Sequence, residues 1–130
     1  MVLPQIIAGE VIAGNRIGRR LGFPTANLAL GEQAVVAGVY AVRVRLGDST
    51  YRGIANVGNR PTITDSPERF LEVYLFDFAG DLYGLTIEVE LLKYLRPEQK
   101  FDSPEALCQA IEQDRLAAEQ FFQNQKNIKE

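Results

Sequence analysis

The feature that most constrains the fold is the alternation over residues 39–46, Val-Tyr-Ala-Val-Arg-Val-Arg-Leu. In a strand, successive side chains point to opposite faces. Tyr40, Val42, Val44 and Leu46 therefore share one face, while Ala41, Arg43 and Arg45 share the other. Gly47-Asp48 is a turn signal and Tyr51 to Val57 reads as a returning strand, so the segment predicts a hairpin. Gln5 to Ile12 is a candidate first strand. Phe70 to Phe78 is another, apolar on both faces except at Glu72 and Asp77. After the turn signal Gly80-Asp81, Leu85 to Leu95 returns with Leu85, Ile87, Val89 and Leu91 inward and Thr86, Glu88 and Glu90 outward. Asn59 to Pro67, with two prolines, reads as loop. Short strands divided by turns predict a sandwich or barrel.

The last quarter changes period. Ser103 suits a helix N-cap, Pro104 the first helical position and Glu105 the positive end of the helix dipole. Leu107, Ala110, Ile111, Ala118, Phe121 and Phe122 then form an apolar stripe at helical spacing. The polar tail from Asn124 to Glu130 is expected to fray. A chain of 130 residues suits one domain with one core. Its expected parts are a barrel over about residues 5–95, a loop over about 96–102 and a helix over about 103–123.

Composition removes whole classes of chemistry. The chain has no histidine, so Ser-His-Asp and Cys-His catalysis and histidine metal sites are excluded. One cysteine, Cys108, permits no internal disulfide and no thiolate zinc site. The net charge of −3 offers no global attraction for nucleic acid or an anionic membrane. No apolar run reaches spanning length and no signal peptide is visible, so the expectation is a cytoplasmic protein without nucleic-acid or membrane partners. Any enzyme here works with carboxylates, hydroxyls, amides, Arg, Lys, backbone N–H groups or a bound ion.

Four constellations could carry such chemistry. In Gly14-Asn15-Arg16-Ile17-Gly18-Arg19-Arg20-Leu21-Gly22, glycines four residues apart allow sharp turns, and the arginines supply positive charge. That is the composition of a phosphate cradle, and also of an ordinary solvated loop. In Phe23-Pro24-Thr25-Ala26-Asn27, Thr25 and Asn27 would point the same way if extended, as neutral oxygen ligands for Mg²⁺. The alternative is a turn in which both side chains bond nearby backbone. Glu72 is a lone carboxylate in an apolar strand: either a proton acceptor or one half of a salt bridge. Arg96-Pro97-Glu98-Gln99-Lys100-Phe101 could cover a ring or hold a phosphate, or simply connect strand to helix.

Taken in order, these segments resemble the riboflavin kinase family. The resemblance rests on Gly9-Glu10-Val11, on Gly18 through Leu28 with Pro24-Thr25-Ala26-Asn27 at its centre, and on Gly38-Val39-Tyr40. It continues through Asn56-Val57-Gly58, Arg60-Pro61-Thr62, Leu71-Glu72-Val73, Asp81-Leu82-Tyr83-Gly84 and Leu95 to Ser103. It implies a mainly β fold, a six-stranded antiparallel Greek-key barrel with a C-terminal helix. It implies transfer of the γ-phosphate of ATP to the 5′-hydroxyl of riboflavin, giving FMN. A non-catalytic flavin- or nucleotide-binding module is the alternative.

By the same resemblance, Gly14, Arg16, Gly18, Arg19, Arg20, Gly22 and Pro24 belong to the ATP-phosphate site, with Thr25 and Asn27 at Mg²⁺ and the phosphates. Glu72 is the general base. Tyr74, Arg96, Lys100 and Phe101 lie by the flavin, the last three on a flap. Tyr74 departs from the family pattern, in which many members carry histidine; alternation puts it on the same face as Glu72. In bacteria the family usually forms the C-terminal half of a bifunctional FAD synthetase, behind an FMN adenylyltransferase domain whose nucleotide motif contains histidine. The expectation is thus an excised kinase module, or a free-standing kinase, that does not make FAD.

Overall fold

The computed structural model describes residues 2–12, 25–31, 33–60, 68–78, 80 and 82–128. Among these residues six strands form one antiparallel sheet: β1 (Gln5–Glu10), β2 (Thr25–Ala29), β3 (Gly38–Leu46), β4 (Ser49–Arg60), β5 (Glu68–Leu75) and β6 (Thr86–Arg96). The helix α1 (Pro104–Ile128) follows. The spatial order is β1-β6-β3-β4-β5-β2. β3, β4 and β5 form a meander and β6 returns beside β3, which is a Greek key. The two edges nearly meet: the Ile12 N–H donates to the Asn27 carbonyl at 2.9 Å, an isolated bridge that almost closes the barrel. Near closure leaves little unpaired strand edge.

Alternation decides what fills the interior. Tyr40, Val42 and Val44 are fully buried inside the barrel, facing Leu71, Val73 and Leu75 of β5 among others. Arg43 and Arg45 face outward and meet their register partners on β6, Glu90 at 3.0 Å and Glu88 at 3.9 Å. Such solvent-exposed pairs contribute little stability. Ala41 shares their face yet is fully buried, because α1 lies across that end of the sheet. The helix starts as its sequence predicts. Ser103 Oγ accepts from the Ala106 N–H at 3.1 Å, and its carbonyl accepts from the Leu107 N–H at 3.1 Å. Leu107, Ile111, Ala118 and Phe122 then pack on Ala41, Ile54, Tyr74 and Phe76. Among the described residues no helix is long and apolar enough to cross a membrane.

Several elements depart from the sequence expectations. Residues 25–29 form a strand, not a turn, because their backbone pairs with β5 from Thr25 opposite Tyr74 to Ala29 opposite Phe70. β1 stops at Glu10, and Ile12 reaches only the closing bridge. Leu85 does not point inward: it precedes β6, is 44% exposed, and its N–H turns back to the Leu82 carbonyl at 3.0 Å. β4 extends to Arg60, into the expected loop, while 61–67 lie outside the described residues. β5 ends at Leu75, and Asp77 adopts a φ of 56°, which turns the chain out of the sheet. α1 continues to Ile128 instead of fraying from Asn124, and Gln120 Nε2 donates to Asn124 Oδ1 at 3.0 Å along its surface.

Gly53 is opposite Leu75, and a Cβ at this position would lie 2.3 Å from the Tyr74 carbonyl oxygen. A backbone oxygen cannot swing aside, so any side chain here forces the sheet to shift. Gly53→Ala is expected to lower stability by about 1–3 kcal/mol. Chemical denaturation measures this, and an unchanged midpoint would contradict the close approach.

Candidate active site

β5 supplies the candidate carboxylate and its neighbours position it. Glu72 lies opposite Asn27 of β2 on one side and opposite Asn56 of β4 on the other. Directly opposed residues share a face, so the three polar side chains form one row on the outer surface of the barrel. In the next row Tyr74 lies between Thr25 and Ile54. Tyr74 and Glu72 are two residues apart on the same face, as alternation predicts. The Tyr74 hydroxyl donates to Glu72 Oε1 at 2.5 Å. Burial, reinforced by the adjacent Glu72 carboxylate, pushes the Tyr74 phenol well above its ordinary range. Tyr74 is therefore a neutral hydrogen-bond donor at any physiological pH.

The amides flanking Glu72 are unusual. Asn27 is fully buried, and among the described residues neither its Oδ1 nor its Nδ2 has a hydrogen-bond partner. Asn56 Oδ1 is likewise buried without a partner among the described residues. An unsatisfied buried polar atom costs about 1–3 kcal/mol, so each calls for an explanation. The turn reading of Asn27, with its side chain bonded to local backbone, does not hold: the strand pairing carries it away from such partners. Among the described residues no group of three or more His, Cys, Asp or Glu gathers to hold a metal ion. A buried, uncommitted carboxamide fits a cation that draws its other ligands from water and phosphate.

Beside this row a pocket opens between the sheet and α1, with about 410 Å³ of empty space that includes the open solvent at its mouth. Val39, Ile54, Asn56 and Tyr74 form its sheet wall, and Leu107, Ile111 and Asp114 its helix wall. Arg96, Gln99 and Phe101 close one end. Arg96 is the last residue of β6, not part of a free loop. Its Nε and Nη2 donate to the Asp114 carboxylate at 2.7 and 2.8 Å, and its Nη1 donates to the Pro97 carbonyl at 3.1 Å. Its guanidinium also sits 5.6 Å from the Phe101 ring centre. The guanidinium thus pins the helix to the sheet and props the aromatic ring beside the pocket that both line.

The structure brings Asn27, Glu72, Tyr74, Arg96 and Phe101 to this side of the barrel. Lys100 is exposed and does not line the pocket. Thr25 contributes its backbone to β2 opposite Tyr74. Gly14, Arg16, Gly18, Arg19, Arg20, Gly22 and Pro24 lie outside the described residues. Sequence reasoning missed Asn56 and Asp114. Asp114 had a readable signal: it follows Ile111 by three and precedes Ala118 by four, a core position of the apolar stripe. Asn56 differs in this respect, since a polar residue in an alternating strand ordinarily faces solvent.

Comparison with known proteins agrees with this geometry. The family model for flavokinase, riboflavin kinase, matches residues 2–122. A bifunctional riboflavin kinase/FMN adenylyltransferase of Haemophilus influenzae is 47% identical over 121 residues, covering 92% of this chain and 39% of that protein. The chain therefore spans about two-fifths of that relative's length. An RNA-binding riboflavin kinase of Bacillus subtilis is 42% identical over 109 residues, 84% of this chain and 47% of that protein. The RNA binding in that name is a property of that protein. The crystal structure of riboflavin kinase from Trypanosoma brucei superposes with a TM-score of 0.61 at 22% identity, covering 91% of this chain and 79% of that one, which shows a shared fold.

Two measurements check the site. Asp114→Ala leaves Arg96 unpaired in the seam between helix and sheet, and is expected to destabilise the fold by about 3 kcal/mol; a loss below about 0.5 kcal/mol, the range of ordinary surface changes, would contradict the clamp. Tyr74, whose phenol ionises later in the folded than in the unfolded chain, contributes stability that is complete below its ordinary pKa of 10.0 and is lost as pH rises beyond it. Tyr74→Phe should therefore flatten the alkaline limb of the stability profile, whereas an identical limb would count against the burial of that phenol.

Proposed function

The chain belongs to the riboflavin kinase family, and on that premise we propose that it transfers the γ-phosphate of ATP to the 5′-hydroxyl of riboflavin, yielding FMN and ADP. The observation that carries this reading is Glu72, set between Asn27 and Asn56 beside the pocket under α1 and held by Tyr74. A flat flavin ring suits the slot between Val39 and Ile54 on one wall and Leu107 and Ile111 on the other, with Phe101 at its end. The hydroxyl-bearing tail would then extend along the sheet toward Glu72.

Phosphoryl transfer asks mainly for positioning and charge stabilisation. Glu72 would accept the proton of the 5′-hydroxyl as that oxygen forms its bond to the γ-phosphorus and the bond to ADP breaks. Tyr74, donating to Oε1, would hold the carboxylate in one orientation and keep it from turning into the pocket. Asn27 and Thr25 would hold Mg²⁺, which when bound offsets the negative charge of the phosphates. Arg16, Arg19 and Arg20, with the glycines Gly14, Gly18 and Gly22, would cradle those phosphates ahead of β2. The Arg96–Asp114 pair would keep α1 against the flavin and exclude water, the competing phosphoryl acceptor. A cytoplasmic site of action fits ATP as donor. FMN adenylylation, the second activity named for the bifunctional relative, lies outside what these residues are proposed to do.

Glu72→Gln preserves shape and hydrogen-bonding capacity while removing the base. The variant is expected to bind riboflavin as the parent does and to form FMN at least about 100-fold more slowly. A near-parental rate would overturn the assignment of Glu72.

A further inference from the structure

We infer that Asn56 is a substrate-binding residue that accepts a hydrogen bond from a hydroxyl of the flavin's polyol side chain, and so selects a ring bearing such a chain over the bare ring. This rests on the riboflavin kinase reading and names the contact by which the substrate class is recognised.

Three observations converge on Asn56. First, its Oδ1 is buried and has no partner among the described residues, although its residue lines the pocket. An acceptor in that position is complete only when a donor arrives from the pocket side. Second, the walls between sheet and helix offer little polar competition. Val39, Ile54, Leu107 and Ile111 are apolar, the Tyr74 hydroxyl is engaged with Glu72, and the Arg96 guanidinium is engaged with Asp114. The other carboxamide of the pocket, Gln99, belongs to the segment after β6 and not to the row of Glu72. Third, Asn56 is directly opposite Glu72 in the sheet register. It belongs both to the pocket wall and to the row that holds the carboxylate. Side chains opposed in this way have Cβ atoms about 5 Å apart, within the span of a few carbons of an extended polyol. A ligand with its ring in the pocket and its reactive hydroxyl at Glu72 must therefore pass Asn56, and its intervening hydroxyls are donors of the kind that Oδ1 lacks.

A purely structural Asn56 would hold strands together through its amide. Its oxygen bonds to nothing among the described residues, so the two roles separate cleanly. Leu matches Asn in shape without the orphaned acceptor. If Asn56 serves the ligand, Asn56→Leu leaves the unliganded chain at least as stable, since an unsatisfied buried group is removed.

The experiment titrates the parent chain and Asn56→Leu with riboflavin and with lumiflavin, the same ring carrying a methyl group in place of the polyol. Flavin fluorescence reports binding, and thermal unfolding without ligand reports stability. The expected result is a loss of about tenfold or more in riboflavin affinity, with lumiflavin affinity changed less than about twofold and the unliganded midpoint not lowered. Equal losses for both flavins, or no loss for riboflavin, would overturn the role of Asn56. A lowered unliganded midpoint would assign it to the fold instead. A parent chain that binds neither flavin would overturn the kinase reading itself, and this contact with it.

Discussion

The register of β5 between β2 and β4 is the constraint on which the site depends. Because strand side chains alternate, a slip of one residue in either pairing would turn Glu72 into the barrel and an apolar residue out of it. The opposite face prevents that slip. Leu71, Val73 and Leu75 project inward and are all but completely buried. Each fully buried aliphatic side chain contributes roughly 1.5–3 kcal/mol. Together they outweigh the roughly 1–3 kcal/mol cost of each orphaned amide atom on the outer face. Packing inside the barrel thus fixes the polar row outside it, and lets Asn27 and Asn56 stay uncommitted beside Glu72.

A row on an open sheet face would still be exposed to water. α1 covers the sheet beside it and makes Asn56 and Tyr74 part of a pocket wall, and the ion pair between Arg96 and Asp114 joins the two walls. Burying charges is costly unless they pair well, and here the fork of the guanidinium meets both carboxylate oxygens. The same guanidinium supports Phe101. One interaction therefore links the end of the sheet, the connection after it and the middle of the helix, so a disturbance at any of the three reaches the mouth of the pocket.

Much of this architecture could be read from the chain itself. The alternation of Tyr40, Val42 and Val44 named the inward face of β3, and the Ser103 cap named the start of α1. The shared face of Glu72 and Tyr74 followed from their spacing, and their hydrogen bond is its consequence. β2 was not legible as a strand, because five residues are too few for a period and its conformation comes from pairing with β5. Leu85 misled because its side chain extends an apolar alternation that its backbone leaves for a turn. Asn56 was invisible, and the partner of Asp114 unreadable, for a different reason. The pocket joins residues from Val39 to Asp114, and no local spacing records that a helix folds back over a sheet. The resemblance to riboflavin kinases singled out Glu72 and Asn27 as expected site residues, but their opposition across two strands is a fact of the fold.

The most direct measurement is incubation of the purified chain with riboflavin, Mg²⁺ and ATP labelled in its γ-phosphate, with the flavins then separated by chromatography. A site organised around Glu72 transfers the label to FMN, with one ADP formed for each FMN. Label released only as inorganic phosphate, or riboflavin bound but unchanged beside intact ATP, would contradict it and leave a pocket that holds flavin without acting on it.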